Sequence, residues 1–482
     1  MLRFSLCVLH SFLYTEGVKQ LMFLKLSKFF LYLSLFSVLI VSPTLYFPYI
    51  VGKAVFFRLA IELAILFLAI WWAWEADSRR VKPAAEEGGK KVGWLRRLAS
   101  EQPLTLAVSA FGIAAVLACI FGINPWFSFW SNFERGEGGF QILNYISLFF
   151  LAGVLFKSEV EWSRVFKVMI GISLAVVAYG LLAAFNVPGV IGPQGLLSRL
   201  SGTLGNADYA GTFMIFAIFY SIYLLTKEKT RWMKWLLWLT VVVFFIFMLL
   251  TQTRGAIVGL MAGVFAFLVY GAFKMQKGRA KKWFVGLTIT FIVLGGAFFA
   301  AQHSLDKVKN CSICDRYLHI SFNAYTFQNR FWAWGEAVDA WKARPVFGWG
   351  PEEFSAAFDK YFNTNYFNPN STSNETWFDR AHSIYFDYLA ETGIIGLLAY
   401  MSIFTVFFWQ FFSKTKKKAL PPGEHQTHHR HLSVIQEGLI LGVPVAYLVQ
   451  GIVLFDVLPT YISVMLFLAF ADFELKRYGQ RS

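Results

Sequence analysis

Apolar runs about as long as a bilayer is thick recur along almost the whole sequence, and they restrict the possible folds more than any other feature. A helix of roughly 20 residues crosses a hydrocarbon core of about 30 Å, and inside that core only helices and closed barrels satisfy their own backbone hydrogen bonds. Hydrophobic residues make up 57% of the 482 residues and charged residues only 15%. Because this leaves little polar sequence for a separate soluble domain, the sequence predicts an all-α polytopic membrane protein.

The apolar pattern predicts about twelve transmembrane helices, with one large loop between the ninth and the tenth. The predicted spans are 27–46, 54–74, 104–122, 139–156, 165–186, 208–226, 235–253, 255–273, 283–301, 384–412, 434–454 and 457–473. The predicted organisation is an N-terminal cytoplasmic or interfacial segment at 1–26, helices one to nine within 27–301, an external loop at 302–383, helices ten to twelve within 384–473, and a cytoplasmic tail at 474–482.

Lysine and arginine are concentrated in alternate connections between the predicted helices, which gives the orientation. They fill the second, fourth, sixth, eighth and tenth connections and the C-terminal tail. Since cytoplasmic loops retain basic residues, we expect both termini in the cytoplasm and the other connections outside. The net charge of +15 then reflects topology and attraction to anionic membrane lipids, and it does not indicate nucleic-acid binding.

A few arginines stand out because the predicted external connections are otherwise poor in basic residues. They are Arg135, Arg199, Arg254, Arg330, Arg344 and Arg380. A charged residue within a membrane helix costs about 2.5–3.5 kcal/mol on insertion scales, so such residues usually have a partner or a function. Guanidinium groups bind phosphate in a bidentate geometry, which predicts a pyrophosphate or polyphosphate site on the external side. For any single arginine, contact with lipid phosphates is an equally good explanation.

The predicted external loop contains two further patterns. Apolar residues in "NRFWAWGEAVDAWKARP" recur at spacings of three, four and three and predict an amphipathic helix whose apolar face carries Phe331, Trp334, Val338 and Trp341. Cys311 and Cys314 favour a local disulfide on the oxidising side, with free thiols or a metal site as alternatives. The first external connection, "VSPTLYFPYIVGK", contains no Asp or Glu, so a metal cofactor is not expected, and we expect no other cofactor.

Five segments together resemble the O-antigen ligase and O-antigen polymerase superfamily over roughly residues 110–410. They are "SFWSNFERGEGG", "SGTLGNADYAG", "TQTRGA", "NRFWAWGEAVDAWKARPVFGWGPEEF" and "DRAHSIYFDYLAETGIIGLLAY". The resemblance implies a GT-C-like membrane glycosyltransferase of the bacterial inner membrane, with its active site facing the periplasm or exterior. It further implies a polyprenyl-pyrophosphate-linked glycan as donor, transferred with inversion to an acceptor hydroxyl on a lipid or glycan, as in lipopolysaccharide and other envelope polysaccharides.

The resemblance also assigns residues. Arg254 matches the arginine of the family pattern that is implied to hold the donor pyrophosphate, and Arg199 and Arg135 match earlier external arginines with the same implied role. His382 matches a family histidine thought to contact the reacting centre. That histidine is usually followed by Asn, whereas Ser383 follows it here.

Elementary chemistry is consistent with these assignments. Displacement of a pyrophosphate develops negative charge that arginines stabilise, and a neutral imidazole acts as general base on the acceptor hydroxyl. Asp379 and Arg380 precede His382 and are candidates for orienting it. If Asp379 and His382 share the first helical turn, the carboxylate orients the ring; an Asp there equally well caps the helix.

Within the superfamily, the single long loop before "RAHS" favours a ligase-type enzyme. A polymerase that joins lipid-linked repeat units and a protein O-oligosaccharyltransferase are the alternatives. A transporter belongs to a different class and predicts internal repeats and ionisable residues near the bilayer midplane. The sequence shows no convincing repeat, and its unusual charges lie at the predicted external boundary.

Overall fold

The computed structural model describes residues 21–80, 102–132, 135–301, 325–366, 377–415 and 432–479. Within these ranges the chain forms helices joined by turns. In chain order they are α1 (Leu21–Leu39), α2 (Val51–Arg80), α3 (Pro103–Phe121), α4 (Pro125–Trp130), α5 (Gly139–Leu155), α6 (Glu159–Ala184), α7 (Ala207–Lys227), α8 (Arg231–Leu250), α9 (Arg254–Lys274), α10 (Arg279–Ala301), α11 (Tyr325–Ala343), α12 (Phe354–Tyr361), α13 (Ile384–Thr415), α14 (Val434–Gln450) and α15 (Leu458–Gly479).

Ten helices among the described residues are long and apolar enough to cross a membrane. Two shorter apolar helices, α5 and α14, coincide with the remaining two predicted spans. The prediction of an all-α polytopic membrane protein with about twelve spans is therefore confirmed. The largest difference concerns α1, which begins at Leu21 and ends at Leu39, whereas 27–46 was predicted. Pro43 and Pro48 follow it, and proline lacks the backbone N–H that would continue the helical hydrogen bonds.

Helix ends that the charge pattern predicts to be cytoplasmic meet in a cluster of ion pairs. The Lys227 ammonium lies 3.1 Å from Glu159 and 3.6 Å from Glu474. Arg477 forms ion pairs with the same two carboxylates. Lys28 forms an ion pair with Glu161, two residues after Glu159. These contacts gather ends of α1, α6, α7 and α15 at one end of the bundle. The connections with the unusual arginines lie at the opposite ends of these helices, and we call that side the site end.

A seam of glycines brings α9 and α14 close together. Added Cβ atoms would lie 2.7 Å from the Ala446 carbonyl at Gly259 and 2.6 Å from the Gly442 carbonyl at Gly263. At Gly255 a Cβ would meet the Val453 side chain at 2.9 Å. Small residues every fourth position allow such close helix packing in a membrane. The seam fixes Arg254, the first residue of α9, beside the turn that follows α14.

The connection after α11 packs against a break in α13. Gly393 adopts a left-handed φ of 64° inside α13, which interrupts the helix and frees the carbonyls before it. The Trp349 and Gly350 N–H groups donate to the Ala390 and Glu391 carbonyls at 3.0 and 2.8 Å. The "PVFGWG" segment is thereby fastened to the helix that follows the site.

The predicted amphipathic helix is present as α11, but its buried face differs from the predicted one. Ala333, Ala337 and Ala340 are buried, whereas Phe331 is 43% exposed. A face of small residues lets the α11 backbone approach α13 closely, and of the predicted aromatic residues Trp334 stacks on Phe386 of α13 at a centroid distance of 5.1 Å.

Replacing Gly393 with Ala should destabilise the protein by about 1–3 kcal/mol, because the new Cβ would lie 2.4 Å from the Val346 carbonyl in a backbone conformation that disfavours side chains. The apparent Tm of the purified protein in detergent measures the loss. Gly153→Ala is the matched control, since no atom lies within 4 Å of its added Cβ and alanine favours a helix interior. Equal Tm values for Gly393→Ala and wild type would contradict this account of the break.

Candidate functional site

Arg135 and Asp379 join two connections that are distant in sequence. Arg135 lies in the turn before α5, and its Nη2 donates to Asp379 Oδ1 at 3.0 Å while Nε donates to the other carboxylate oxygen. Its Nη1 donates to the Tyr209 hydroxyl at 3.2 Å, on the first turn of α7. Although burial acts to raise it, the pKa of Asp379 is lowered by the hydrogen bonds and charge of Arg135. The pair therefore stays ionised.

Arg380 lies at the centre of a buried group of carboxylates. Its guanidinium donates to Glu391 at 2.8 Å and to Glu352, and it lies 3.6 Å from Glu137. These carboxylates come from α13, from the turn before α12 and from the turn before α5. Burial raises the pKa of Glu137 to about 8, against the lowering effect of the Arg380 charge. Glu137 is then largely protonated at pH 7, which limits the negative charge around the single guanidinium.

His382 occupies a strained position directly before α13. Its φ of 57° lies in the left-handed region, which costs a residue other than glycine roughly 1–2 kcal/mol. Its Nδ1 lies 3.1 Å from the Arg380 carbonyl, and its ring packs edge-to-face against Phe378 and Phe455 at centroid distances of 5.1 and 5.2 Å. Such outliers are concentrated at functional sites when the surrounding structure holds them in place.

The contacts around α13 explain how this position is held. The Ile384 N–H donates to the carbonyls of Gly451 and Leu454, each at 3.0 Å, so the turn after α14 meets the start of α13. The Ala381 N–H donates to Asp387 at 2.6 Å. Ser383, which replaces the asparagine common in the family pattern, is buried with its hydroxyl 3.5 Å from the Gly451 carbonyl.

Burial lowers the pKa of His382 to about 4, and the charge of Arg330 acts in the same direction. The imidazole is therefore neutral at pH 7. With Nδ1–H donating to the Arg380 carbonyl, Nε2 is the basic nitrogen.

The expected role of Asp379 as the group that orients the His382 ring is not supported by the contacts. The helix begins at Ile384, so neither residue lies on its first turn. Asp379 accepts its hydrogen bonds from Arg135 instead, and the Arg380 carbonyl contacts the imidazole. The Arg380 backbone thus contacts the ring, while its side chain binds the carboxylates.

Arg199 is joined to the turn that precedes Arg254. It pairs with Asp208, which also accepts a hydrogen bond from the Thr253 hydroxyl at 3.0 Å. Asp208 and Tyr209 are consecutive, so the first turn of α7 contacts both Arg199 and Arg135. The structure brings the predicted arginines to the same end of the bundle, with Arg254 at the N-terminus of α9.

The glycines beside these arginines have a packing role. Added Cβ atoms would lie 2.6 Å from Val176 at Gly202 and 2.5 Å from the Tyr49 ring at Gly205. These glycines hold the connection before α7 tightly against α6 and the segment before α2.

Several residues of the site end were not predicted from the sequence. The Phe455 ring faces His382, and the guanidinium carbons of Arg135 and Arg380 lie 5.0 and 5.9 Å from its centroid. The adjacent Asp456 accepts hydrogen bonds from Tyr447 and, at 3.1 Å, from Tyr400. The sequence feature that could have indicated this region is Asp456 itself, a carboxylate in the short turn between the apolar helices α14 and α15.

Two basic residues of α2 were also missed. The Arg58 guanidinium donates to Gln141 and to the Gly136 carbonyl, which supports the turn containing Arg135. Lys53 is buried and donates to the Thr203 carbonyl. Both lie within the apolar helix α2, where a charged residue is costly, although only Arg58 falls inside the predicted span 54–74.

The other predicted residues have different positions. Arg344 donates to the Gly348 carbonyl at 3.0 Å and to the Phe121 carbonyl at 2.5 Å, which is a structural role. Cys311 and Cys314, the predicted disulfide, lie outside the described residues. Within the described ranges, no group of three or more His, Cys, Asp or Glu side chains is arranged to hold a metal ion.

A small pocket opens beside Arg135. Its polar lining comes from Lys53, Arg135, Glu137, Tyr145 and Tyr209. Its other walls are apolar side chains from the segment before α2, from the connection before α7 and from the start of α15. The pocket thus combines basic groups with a surface suited to hydrocarbon.

The fold and the composition define a multi-pass helical membrane protein with a buried polar site at one end. Residues 239–401, about a third of the chain, match the family model described as O-antigen ligase. This match confirms the resemblance to the O-antigen ligase and polymerase superfamily, which implies a glycan-processing membrane enzyme. No curated protein matches the chain. The matched region contains Arg254, Arg330, Arg380 and His382, and it excludes Arg135 and Arg199.

Replacing Arg380 with Met should destabilise the protein by about 3–5 kcal/mol, because buried carboxylates lose their cation. Loss of the positive charge also raises the pKa of Glu137 further above about 8. An acid whose pKa is raised in the folded state loses stability as the pH rises from its ordinary value toward the raised one. Because wild type already carries this loss up to about pH 8, the deficit in apparent Tm should be nearly constant between pH 5 and pH 8 and should grow above pH 8.

Arg231→Met is the matched control for this experiment. Arg231 is exposed at the start of α8, so we expect a change within about 0.5 kcal/mol. If the apparent Tm of Arg380→Met equalled that of wild type at pH 8, the account in which the guanidinium stabilises the buried carboxylates would be wrong.

Proposed function

We propose that this protein is an O-antigen ligase-type glycosyltransferase. It transfers a glycan from a polyprenyl-pyrophosphate donor to an acceptor hydroxyl on the external face of the bacterial inner membrane, with inversion and without a metal ion. The observation that carries the proposal is the meeting of Arg135, Asp379 and the strained His382 at the end of the bundle where Arg254 begins α9.

The donor side of the reaction needs positive charge near the leaving group. Cleavage of the bond between the anomeric carbon and the pyrophosphate oxygen leaves a polyprenyl pyrophosphate whose charge develops in the transition state. Arg254 binds this group, assisted by Arg199 or Arg135. Arg135 and Arg199 are already paired with Asp379 and Asp208, which fixes their geometry before the donor arrives.

The acceptor side needs a base. In the proposed step, the acceptor oxygen attacks the anomeric carbon and its proton moves to Nε2 of His382. The Arg380 carbonyl contacts Nδ1 and so favours the tautomer in which Nε2 accepts. A pKa of about 4 makes the isolated imidazole a weak base, but an anionic donor nearby would raise this pKa toward neutrality.

The charge pattern supports an external position for the site. The ion-pair cluster of Lys227 and Arg477 lies at the opposite end of the bundle, where the connections are rich in basic residues. By the positive-inside rule that end faces the cytoplasm, so the site end faces the periplasm.

Replacing Arg254 or His382 with Ala should each lower glycan transfer about 100-fold or more, because one removes a charge-stabilising group and the other the base. Transfer from a lipid-linked donor by purified protein measures this, and the amount of protein inserted in membranes should be unchanged. Arg231→Ala and His428→Ala, in predicted cytoplasmic segments, are the matched controls. Wild-type transfer by either site variant would exclude that residue from the proposed mechanism.

The glycoconjugates of cells that lack the protein separate the alternatives. Loss of all glycan attached to the acceptor is expected for a ligase. Single repeats still attached, with long chains lost, would indicate a polymerase, and loss of glycan from proteins would indicate a protein O-oligosaccharyltransferase. Unaltered glycans with altered solute uptake would contradict the enzyme proposal in favour of a transporter.

A further inference from the structure

Lys53 is a buried cation without an anionic partner among the described residues. It is 2% exposed, and no described carboxylate lies within 4.0 Å of its Nζ. Its contacts are a hydrogen bond to the Thr203 carbonyl and the Tyr49 ring, whose centroid is 5.8 Å from Nζ. An ammonium has three donors, and a buried charge is costly unless it is paired. The Thr203 carbonyl accepts from one of the three donors and supplies no negative charge.

The surrounding backbone holds Lys53 in this position. The connection that supplies the Thr203 carbonyl is tight, since Gly205 has a φ of 78° and an added Cβ there would lie 2.5 Å from the Tyr49 ring. The Tyr49 hydroxyl in turn donates to the Ile191 carbonyl at 2.8 Å. Lys53 thus belongs to a built site, and it is not a long side chain that extends freely to the surface.

Lys53 lines the same pocket as Arg135. Glu137 also lines it, and because burial raises the pKa of Glu137 to about 8, this carboxyl does not supply a full negative charge at pH 7. Arg135 is paired with Asp379, which leaves the Lys53 ammonium as the basic group of the pocket that is available to an anion. Ile50, Leu204, Val457 and Leu458 form apolar walls next to them.

We propose that Lys53 is a phosphoryl-binding residue of this pocket and takes an oxygen of a phosphate carried on a lipid chain. The ammonium supplies charge-assisted hydrogen bonds, and the apolar walls accept the first carbons of the chain. The inference rests on the proposed function, because the polyprenyl pyrophosphate of the donor is such a molecule. A bilayer phospholipid has the same chemistry and is the second source to be distinguished.

The test uses the full-length protein in detergent, with geranylgeranyl diphosphate as the probe and isothermal titration calorimetry as the measurement. Lys53→Met should weaken binding about tenfold or more, through the loss of a hydrogen bond to a charged group. Lys234→Met, an exposed lysine on α8, is the matched control and should bind within twofold of wild type. The Tm of ligand-free Lys53→Met should equal or exceed that of wild type, because the variant removes an unpaired buried charge.

Three further ligands identify the source of the phosphate. Geranylgeraniol should bind weakly, since it lacks the phosphoryl group, and inorganic pyrophosphate should bind weakly, since it lacks the chain. Equal affinity for inorganic pyrophosphate and the lipid diphosphate would overturn the lipid-borne part of the inference. Tight, Lys53-dependent binding of dioleoyl phosphatidylglycerol would support Lys53 as a phosphoryl ligand but assign it to bilayer lipid.

The outcomes separate this inference from the proposed function. If wild type binds the diphosphate and Lys53→Met binds it equally well, the Lys53 inference fails and the donor site stands. A lower ligand-free Tm with unchanged affinity would likewise overturn it, since that result is expected for a purely structural lysine. If wild type binds none of the phosphorylated lipids, both the inference and the donor side of the proposed function fail.

Discussion

The site end of the bundle depends on the buried guanidinium of Arg380. Its carboxylate partners Glu137, Glu352 and Glu391 belong to three separate segments, so one side chain fixes the mutual positions of the turn before α5, the turn before α12 and the first part of α13. A buried charge requires partners, and this requirement makes the arrangement specific. His382 and Asp379 flank Arg380 in sequence, and their geometry follows from it.

Glycines bring the remaining elements within reach of this centre. The seam between α9 and α14 places Arg254 near the turn that carries Phe455, and the break at Gly393 lets the segment around Trp349 bind the α13 backbone. Phe455 then contacts His382 on one side and Arg135 on another. A membrane protein gains little from burying apolar surface against lipid, so close backbone packing and paired charges carry much of the specificity.

The fold could largely be predicted from the sequence, because a span of about 20 apolar residues has few alternatives in a bilayer. The external arginines were recognisable for the same reason. The partners of these residues were not predictable. Asp379 was a candidate either to orient His382 from a shared helical turn or to cap the helix, but the helix begins at Ile384, where its N–H meets the Gly451 and Leu454 carbonyls. Phe455 and Lys53 become informative only when tertiary contacts show what surrounds them.

The most direct test of the central claim is the structure of the protein in a lipid nanodisc with a bound polyprenyl diphosphate, determined by electron cryomicroscopy. The account predicts diphosphate density within about 3 Å of the guanidinium groups of Arg254 and of Arg199 or Arg135, on the side of His382. Diphosphate density beside Lys227 and Arg477 at the opposite end, with none at the site end, would contradict it.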